Sequence, residues 1–363
     1  MTIHSDSFLE IDLGAIAHNY KYLAKKSGAA ETAAVVKANA YGLGVKQVAD
    51  KLEKSGCKSF FVATLDEALE LRSAMKKNSI FVFHGLGKNQ EKIFLEKQII
   101  PVLNDIYQID LWKKFAKKIQ KKLPSVLHID TGMNRLGLSQ QEAKKFLADK
   151  KNFSSLDIKY LMTHLACANE QSAMNSIQLE DFGAITALQP DIPSSIANSS
   201  GIFLGQKFRQ DLVRPGSALY GVNPSSSNKN PMKNVVTLTA KIIQIREITG
   251  KRETVGYGAT KTISAGSRIA IIPVGYADGY LRHLSNSGIV YFDGCELPII
   301  GRVSMDLTII DITKISPNKI KIGSEIELIG RHVPVDLVAK KAGTIGYEIL
   351  TNLGSRYNRK YKN

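Results

Sequence analysis

Through the first half of the chain, short apolar runs alternate with longer stretches whose apolar residues recur every three or four positions. The runs at 33–36, 60–63, 80–83, 100–103, 126–129, 158–161, 194–197 and 211–213 are strand-sized and rich in Val, Ile and Phe. The stretches at 46–54, 65–75, 88–97, 106–119, 140–148 and 177–188 carry helical periodicity. Strands alternating with helices predict βαβ units and a parallel sheet. Eight strands in this span predict a closed (β/α)8 barrel of the TIM type. An open doubly wound sheet would show the same pattern, because closure leaves no mark on periodicity.

After Tyr220 the pattern changes. Residues 223–231 (NPSSSNKNP) are a loop by composition. Beyond them Val236, Leu238, Ala240 and Ile242 alternate with Thr237, Thr239 and Lys241, the period of a half-buried strand. Further short strands follow at 268–274, 289–292, 297–300, 308–310 and 325–329, separated by Gly and Pro turns with no long helix between them. The expected organisation is a barrel over residues 1–230 and a mainly β domain over 231–363.

Composition is that of an ordinary globule: 363 residues, 44% hydrophobic and 23% charged. No apolar run approaches the ~18 residues of a membrane helix. The opening MTIHSDSFLEID lacks the basic start and apolar core of a signal peptide, so no membrane partner and a cytoplasmic location are expected. Cys57, Cys167 and Cys295 are scattered, with no CxxC to hold zinc, so no metal is expected and each reads as a small buried residue. The formal charge is +16, which raises the question of nucleic acid. Its densest block, residues 113–122, sets lysines around a helical stripe of Trp112, Phe115 and Ile119, the pattern of a solvated helix face. No zinc-finger, RNP or helix-turn-helix signature supports a nucleic-acid reader.

The chemistry-bearing residues follow strand ends. Lys37 follows the first strand, Arg135 the fifth, His164 the sixth, Asn198 and Ser199 the seventh, and Arg214 the eighth. In such barrels the C-terminal ends of the strands build the active site, so these residues are expected to share one rim. Ser199-Ser200-Gly201 and Pro215-Gly216-Ser217 lie in the two loops that most often hold a phosphate. Gly42-Leu43-Gly44 and Gly85-Leu86-Gly87 lack the third glycine of a dinucleotide fingerprint. Lys37 ends an apolar strand, and a partly desolvated lysine can lose its proton and attack a carbonyl. A carbonyl-capturing lysine beside a phosphate site suggests pyridoxal 5'-phosphate.

The strings AVVKANAYG, DTGMNRLG, THLACANE, ANSSG, RPGSALYG, VGYG, VGYADG, GRVSMDL and GTIGYE stand in this order along the chain. In that order they resemble the alanine racemases, fold type III pyridoxal-phosphate enzymes in which a barrel precedes a β domain. The resemblance covers nearly the whole sequence. It implies racemisation of alanine, which supplies D-alanine for peptidoglycan, by two proton carriers. Lys37 serves one face of the substrate, and Tyr257 of the partner subunit serves the other across a head-to-tail homodimer. A phenol ionises near pH ~10 and needs help at neutrality; the resemblance gives His164 as its hydrogen-bond partner. Arg214 is implied to face the pyridine nitrogen as an obligate donor, which leaves that nitrogen unprotonated and restrains side reactions. Arg135 is implied to meet the cofactor phenolate oxygen and the substrate carboxylate. Tyr41, Asn198, Ser199, Gly216, Ser217 and Tyr347 match the cofactor-binding set. Met305 and Asp306 match the segment lent to the substrate carboxylate, and Tyr276 with Tyr347 narrows the access route.

Three positions depart from the family pattern. His128 stands where many members carry a carbamylated lysine that braces the arginine. Ser195 replaces a histidine that supports the arginine below the pyridine ring, and Leu43 replaces a common histidine. Such changes around a site alter rate and selectivity and leave room for activity on other amino acids, including β-elimination. A fold type III decarboxylase and a pyridoxal-phosphate carrier are the competing readings. The first has a different C-terminal pattern, and the second resembles the barrel alone.

Overall fold

A computed structural model describes residues 6–226 and 229–363. The N-terminal residues 1–5, and Ser227 and Asn228 within the loop at 223–231, lie outside the described residues.

Seven strands form one parallel sheet in sequence order: Ala34–Val35, Ser59–Val62, Ser79–Val82, Ile99–Leu103, Leu123–His128, Leu156–Met162 and Ser194–Ser195. The eighth, Leu212–Val213, pairs in parallel with Glu31–Thr32, just ahead of the first. The Arg214 N–H donates to the Ala197 carbonyl at 2.9 Å, and the Val35 N–H donates to the Pro215 carbonyl at 2.9 Å. These bonds tie the last strand to the seventh and to the first. The sheet is therefore closed, a property that periodicity could not supply. Ser59–Val62 is buried along its whole length, as a strand covered on both faces must be. Phe61 stacks on Phe81 and Phe83 at centroid distances of 4.5 and 5.0 Å.

The helices lie close to their expected bounds, among them Val45–Lys54, Leu65–Ala74, Ile106–Lys118 and Gln140–Ala148. On Ile106–Lys118 Trp112 is buried while Lys114, Lys117 and Lys118 are exposed, so the basic run is a solvated face. No helix among the described residues is long and apolar enough to cross a membrane. Cys57 is buried, but Cys167 and Cys295 are only half-buried, short of the burial expected for all three.

The second sheet orders Cys295–Pro298, Ile289–Phe292, Glu325–Ile329, Val236–Lys241, Ser7–Asp12 and Asn358–Lys362. Val236–Lys241 alternates buried and half-buried residues, as its pattern predicts. Ser7–Asp12 alternates likewise, yet it joins this sheet and not the barrel, antiparallel to Val236–Lys241 and parallel to Asn358–Lys362. A smaller sheet holds Gln244–Glu247, Arg268–Ile272 and Thr308–Asp311. The hairpin Glu253–Val255/Lys261–Ile263 carries Tyr257 at its turn. Three helices went unread in the sequence: Leu13–Ser27, Val335–Ala342 and Gly346–Asn352. The last holds Tyr347.

Candidate active site

Lys37 opens a turn that coils the wrong way. Ala38, Asn39, Ala40 and Tyr41 have φ of +52°, +54°, +53° and +55°, four successive non-glycine residues in the left-handed region. Each costs about 1–2 kcal/mol against the right-handed form, so the surroundings must hold the turn in place. Inside it the Ala40 N–H donates to the Val36 carbonyl at 2.9 Å, and Asn39 Oδ1 accepts from the Val45 N–H at 2.7 Å. Gly42 continues at φ +82°, and a side chain there would press on the Leu350 carbonyl. Its own carbonyl accepts from Arg359 Nη1 at 2.6 Å, and the Leu43 carbonyl accepts from the Tyr361 hydroxyl at 3.1 Å. The turn sends the Lys37 amine over the Phe83 ring, 5.9 Å from its centroid, in the barrel mouth. Burial first, and Arg135 second, pull the Lys37 pKa below the ordinary lysine value, while Glu67 works against them. A larger share of neutral amine results near pH 7.

Arg214 is 2% exposed. One terminal nitrogen donates to the Ser195 hydroxyl and the other to the Thr163 carbonyl at 2.7 Å. Its Nε has no partner. Burial lowers the guanidinium pKa to about 9, so it stays charged at neutrality. Ser199 Oγ accepts from the Gly216 N–H at 2.9 Å and the Ala218 N–H at 3.2 Å, which leaves its own proton free to donate. The buried Ser217 Oγ also has no partner. Tyr41 packs against Tyr220 and Tyr347 at centroid distances of 4.7 and 6.2 Å, and burial keeps its hydroxyl protonated. An ideal Cβ on Gly216 would collide with that hydroxyl, so the space belongs to whatever the hydroxyls hold. Buried donors seldom go unpaired. Two of them, a spare Ser199 proton and a glycine-cleared space fit a ligand with an accepting ring nitrogen and a phosphate.

His164 sits beside Lys37, Arg135 and Arg214, and its ring makes no hydrogen bond among the described residues. Burial and then the charge of Arg214 hold its pKa well below the ordinary histidine value, so it is neutral. Arg135 and His164 line one water-sized cavity with His128, Asp130 and Thr163. His128 Nδ1 lies 2.7 Å from Asn104 Oδ1. The Asn104 amide nitrogen already donates to the Phe83 and Val102 carbonyls, so its oxygen must accept. His128 therefore carries its proton on Nδ1 and keeps Nε2 as an acceptor. Burial, reinforced by Arg214, lowers its pKa to about 3.

Asn198 spends its side-chain oxygen on the Gly201 N–H at 2.9 Å, shaping the loop that presents Ser199. The structure thus gathers Lys37, Tyr41, Arg135, His164, Ser199, Arg214, Gly216, Ser217 and Tyr347 at one mouth. Within a single chain Tyr257, Tyr276, Met305 and Asp306 stay on the surface of the β region. Tyr257 is 70% exposed and Met305 53%. The Tyr276 and Ala277 N–H groups donate to the Ser304 and Met305 carbonyls at 3.0 and 2.9 Å, and the hairpin turn packs on Arg302. These exposed residues therefore belong to one surface cluster.

A family model described as the alanine racemase N-terminal domain matches residues 11–224, and one described as the C-terminal domain matches 235–361. The chain belongs to the alanine racemase family. The alanine racemase of Brucella abortus is 44% identical over 97% of this chain and 93% of its own length. That of Rickettsia conorii is 43% identical over 97% and 98%. The crystal structure of the Bartonella henselae alanine racemase with covalently bound pyridoxal phosphate superposes with a TM-score of 0.94 at 42% identity, covering 98% of this chain and 99% of that one. Against the alanine racemase pattern, Ser195 takes up the support of the buried arginine, and Leu43 is a core residue. Sequence reasoning missed Thr163, Asn104 and Glu67. The first two follow the sixth and fourth strands, so the strand-end criterion would have found them. Glu67 completes the capping-box spacing that starts at Thr64.

Proposed function

We propose that this chain interconverts L- and D-alanine with pyridoxal 5'-phosphate and so supplies D-alanine for peptidoglycan. The observation that carries the reading is the orphaned Arg214 Nε and Ser217 Oγ opening on the same mouth as a lysine of lowered pKa. When bound, the cofactor withdraws electrons from the substrate Cα and makes its proton removable. Lys37 would hold its aldehyde carbon. Tyr41, Ser199, Ser217 and the space above Gly216 would hold its phosphate, with Tyr347 closing over Tyr41. Arg214 would donate to the ring nitrogen and Arg135 to the phenolate oxygen.

Lys37, its pKa lowered by burial, takes or returns the Cα proton on one face. Tyr257 of the partner subunit serves the opposite face in a head-to-tail homodimer. The neutral His164 ring is free to accept from that phenol. Arg135 and the Met305 backbone amide of the partner subunit draw in the substrate carboxylate, with Asp306 of the partner subunit beside it. Tyr276 of the partner subunit and Tyr347 restrict side-chain size. The exposed patch holding Tyr257, Tyr276, Met305 and Leu307 supports a second copy, since a monomer seldom leaves such a cluster to water. A lesser activity on other amino acids, including β-elimination, fits the altered surroundings of Arg135.

The test incubates purified protein and pyridoxal phosphate with L-alanine in D2O. Optical rotation falling to zero with deuteration at Cα is the expected result. Carbon dioxide release would make the chain a decarboxylase, and bound cofactor without turnover would make it a carrier.

A further inference from the structure

The left-handed turn behind Lys37 is anchored at both ends by residues outside it. At the far end Arg359 and Tyr361 hold the Gly42 and Leu43 carbonyls. At the lysine end the outside anchor is one carboxylate. Glu67 Oε1 accepts from the Ala38 N–H at 2.8 Å, and Oε2 accepts from the Ala63 N–H at 2.7 Å. Oε2 also meets the Thr64 N–H at 3.3 Å.

Glu67 is the third residue of the helix Leu65–Ala74, capped by Thr64. An ordinary capping box would use the carboxylate on the Thr64 N–H. Here that is the longest of its three contacts, and the two short ones join the first peptide of the left-handed turn to the end of the second barrel strand. We propose that Glu67 is a positioning residue for Lys37: it pins the Ala38 N–H to the Ala63 strand end and so fixes the direction in which the lysine amine enters the mouth. Without that acceptor Ala38 is free to relax toward the right-handed basin, which rotates the Lys37–Ala38 peptide. The same carboxylate faces the lysine with a negative charge and offsets the effect of burial and of Arg135. The proposal rests on the reading of Lys37 as the cofactor-holding lysine.

The test strips the cofactor from the full-length protein, adds pyridoxal phosphate, and follows absorbance with time across a range of pH. Borohydride trapping and mass spectrometry identify the modified residue. Glu67→Ala removes both short hydrogen bonds to the carboxylate and is expected to slow capture at Lys37 about tenfold or more. Thr64→Ala, which removes only the helix cap, should capture at the wild-type rate. Glu67→Gln loses the charge, which moves the profile to lower pH, and it turns an amide NH2 onto either the Ala38 or the Ala63 N–H, so its rate should fall between those of wild type and Glu67→Ala. Equal slowing in Thr64→Ala and Glu67→Ala would reduce Glu67 to a helix cap and overturn the proposal. So would wild-type capture by Glu67→Ala. Should that variant fail to fold, wild-type capture by Glu67→Gln, whose amide cannot accept from both N–H groups, would overturn it alone. Wild-type protein left unmodified at Lys37 would instead remove the underlying reading, and the proposal with it.

Discussion

Arg214 donates to the Ser195 hydroxyl, and that hydroxyl donates onward to the Leu212 carbonyl at 2.6 Å. The small residue thus links the buried cation to the backbone of its own strand. Ser195→Ala would leave the guanidinium nitrogen without its acceptor, and an unpaired buried donor costs about 1–3 kcal/mol. The variant should melt at a lower temperature and bind pyridoxal phosphate about tenfold more weakly, as thermal melting and equilibrium dialysis would report. Unchanged affinity would mean that the Thr163 carbonyl orients the arginine unaided.

His128 gives a pH signature. In the unfolded chain it titrates near pH ~6.5, whereas folding lowers it to about 3. Between those values the unfolded state binds the extra proton, so stability is complete above the upper value and is lost as pH falls toward the lower. One such histidine contributes a slope of at most about 1.4 kcal/mol per pH unit. His128→Gln should flatten the acid limb of melting temperature against pH. It should not abolish that limb, because His164 is shifted in the same direction.

Exchange of subunits tests the proposal that two chains share each site. Lys37→Ala and Tyr257→Phe homodimers should each lose racemisation while remaining folded. If each mouth takes Lys37 from one chain and Tyr257 from the other, a mixed dimer contains one doubly defective site and one intact site. Co-refolding the two variants should therefore restore activity, measured as Cα deuteration. No recovery in a dimer shown by mass to be mixed would place both groups on the same chain.

Gly216 is required for the space beside Tyr41 and not for backbone freedom, since its φ is −126°. Gly216→Ala should displace the buried Tyr41 ring, which costs about 1–3 kcal/mol of stability, and weaken cofactor binding. Titration with pyridoxal phosphate and with pyridoxal separates the effects. The phosphate-bearing compound should lose affinity by about 1.4 kcal/mol, a factor of ten, and the other should not.

The barrel was legible because a buried strand and an amphipathic helix each write their period into the sequence, and the ends of the strands then marked Lys37, Arg135, His164 and Arg214. Closure was not legible, because it depends on bonds such as that from Arg214 to Ala197 between short segments without a pattern of their own. Ser7–Asp12 carries a clear alternation, but hydropathy says nothing of which sheet a strand will join. The left-handed turn escaped notice because Ala38, Asn39 and Ala40 contain no glycine to announce positive φ. Its anchors come from Glu67, Arg359 and Tyr361, far away in sequence. The family motifs marked Tyr257 and Met305, yet one chain alone holds them in solvent.

Ser7–Asp12 lies between Val236–Lys241 and Asn358–Lys362, so a segment made early is flanked by two made much later. During synthesis both of its partners are still unmade while the barrel residues emerge. The six-stranded sheet is completed only when the final strand arrives, and that strand also delivers Arg359 and Tyr361 to the turn behind Lys37. A ribosome that stalls before residue 358 would therefore release a chain without Arg359 and Tyr361, whose lysine turn lacks its far-end anchors.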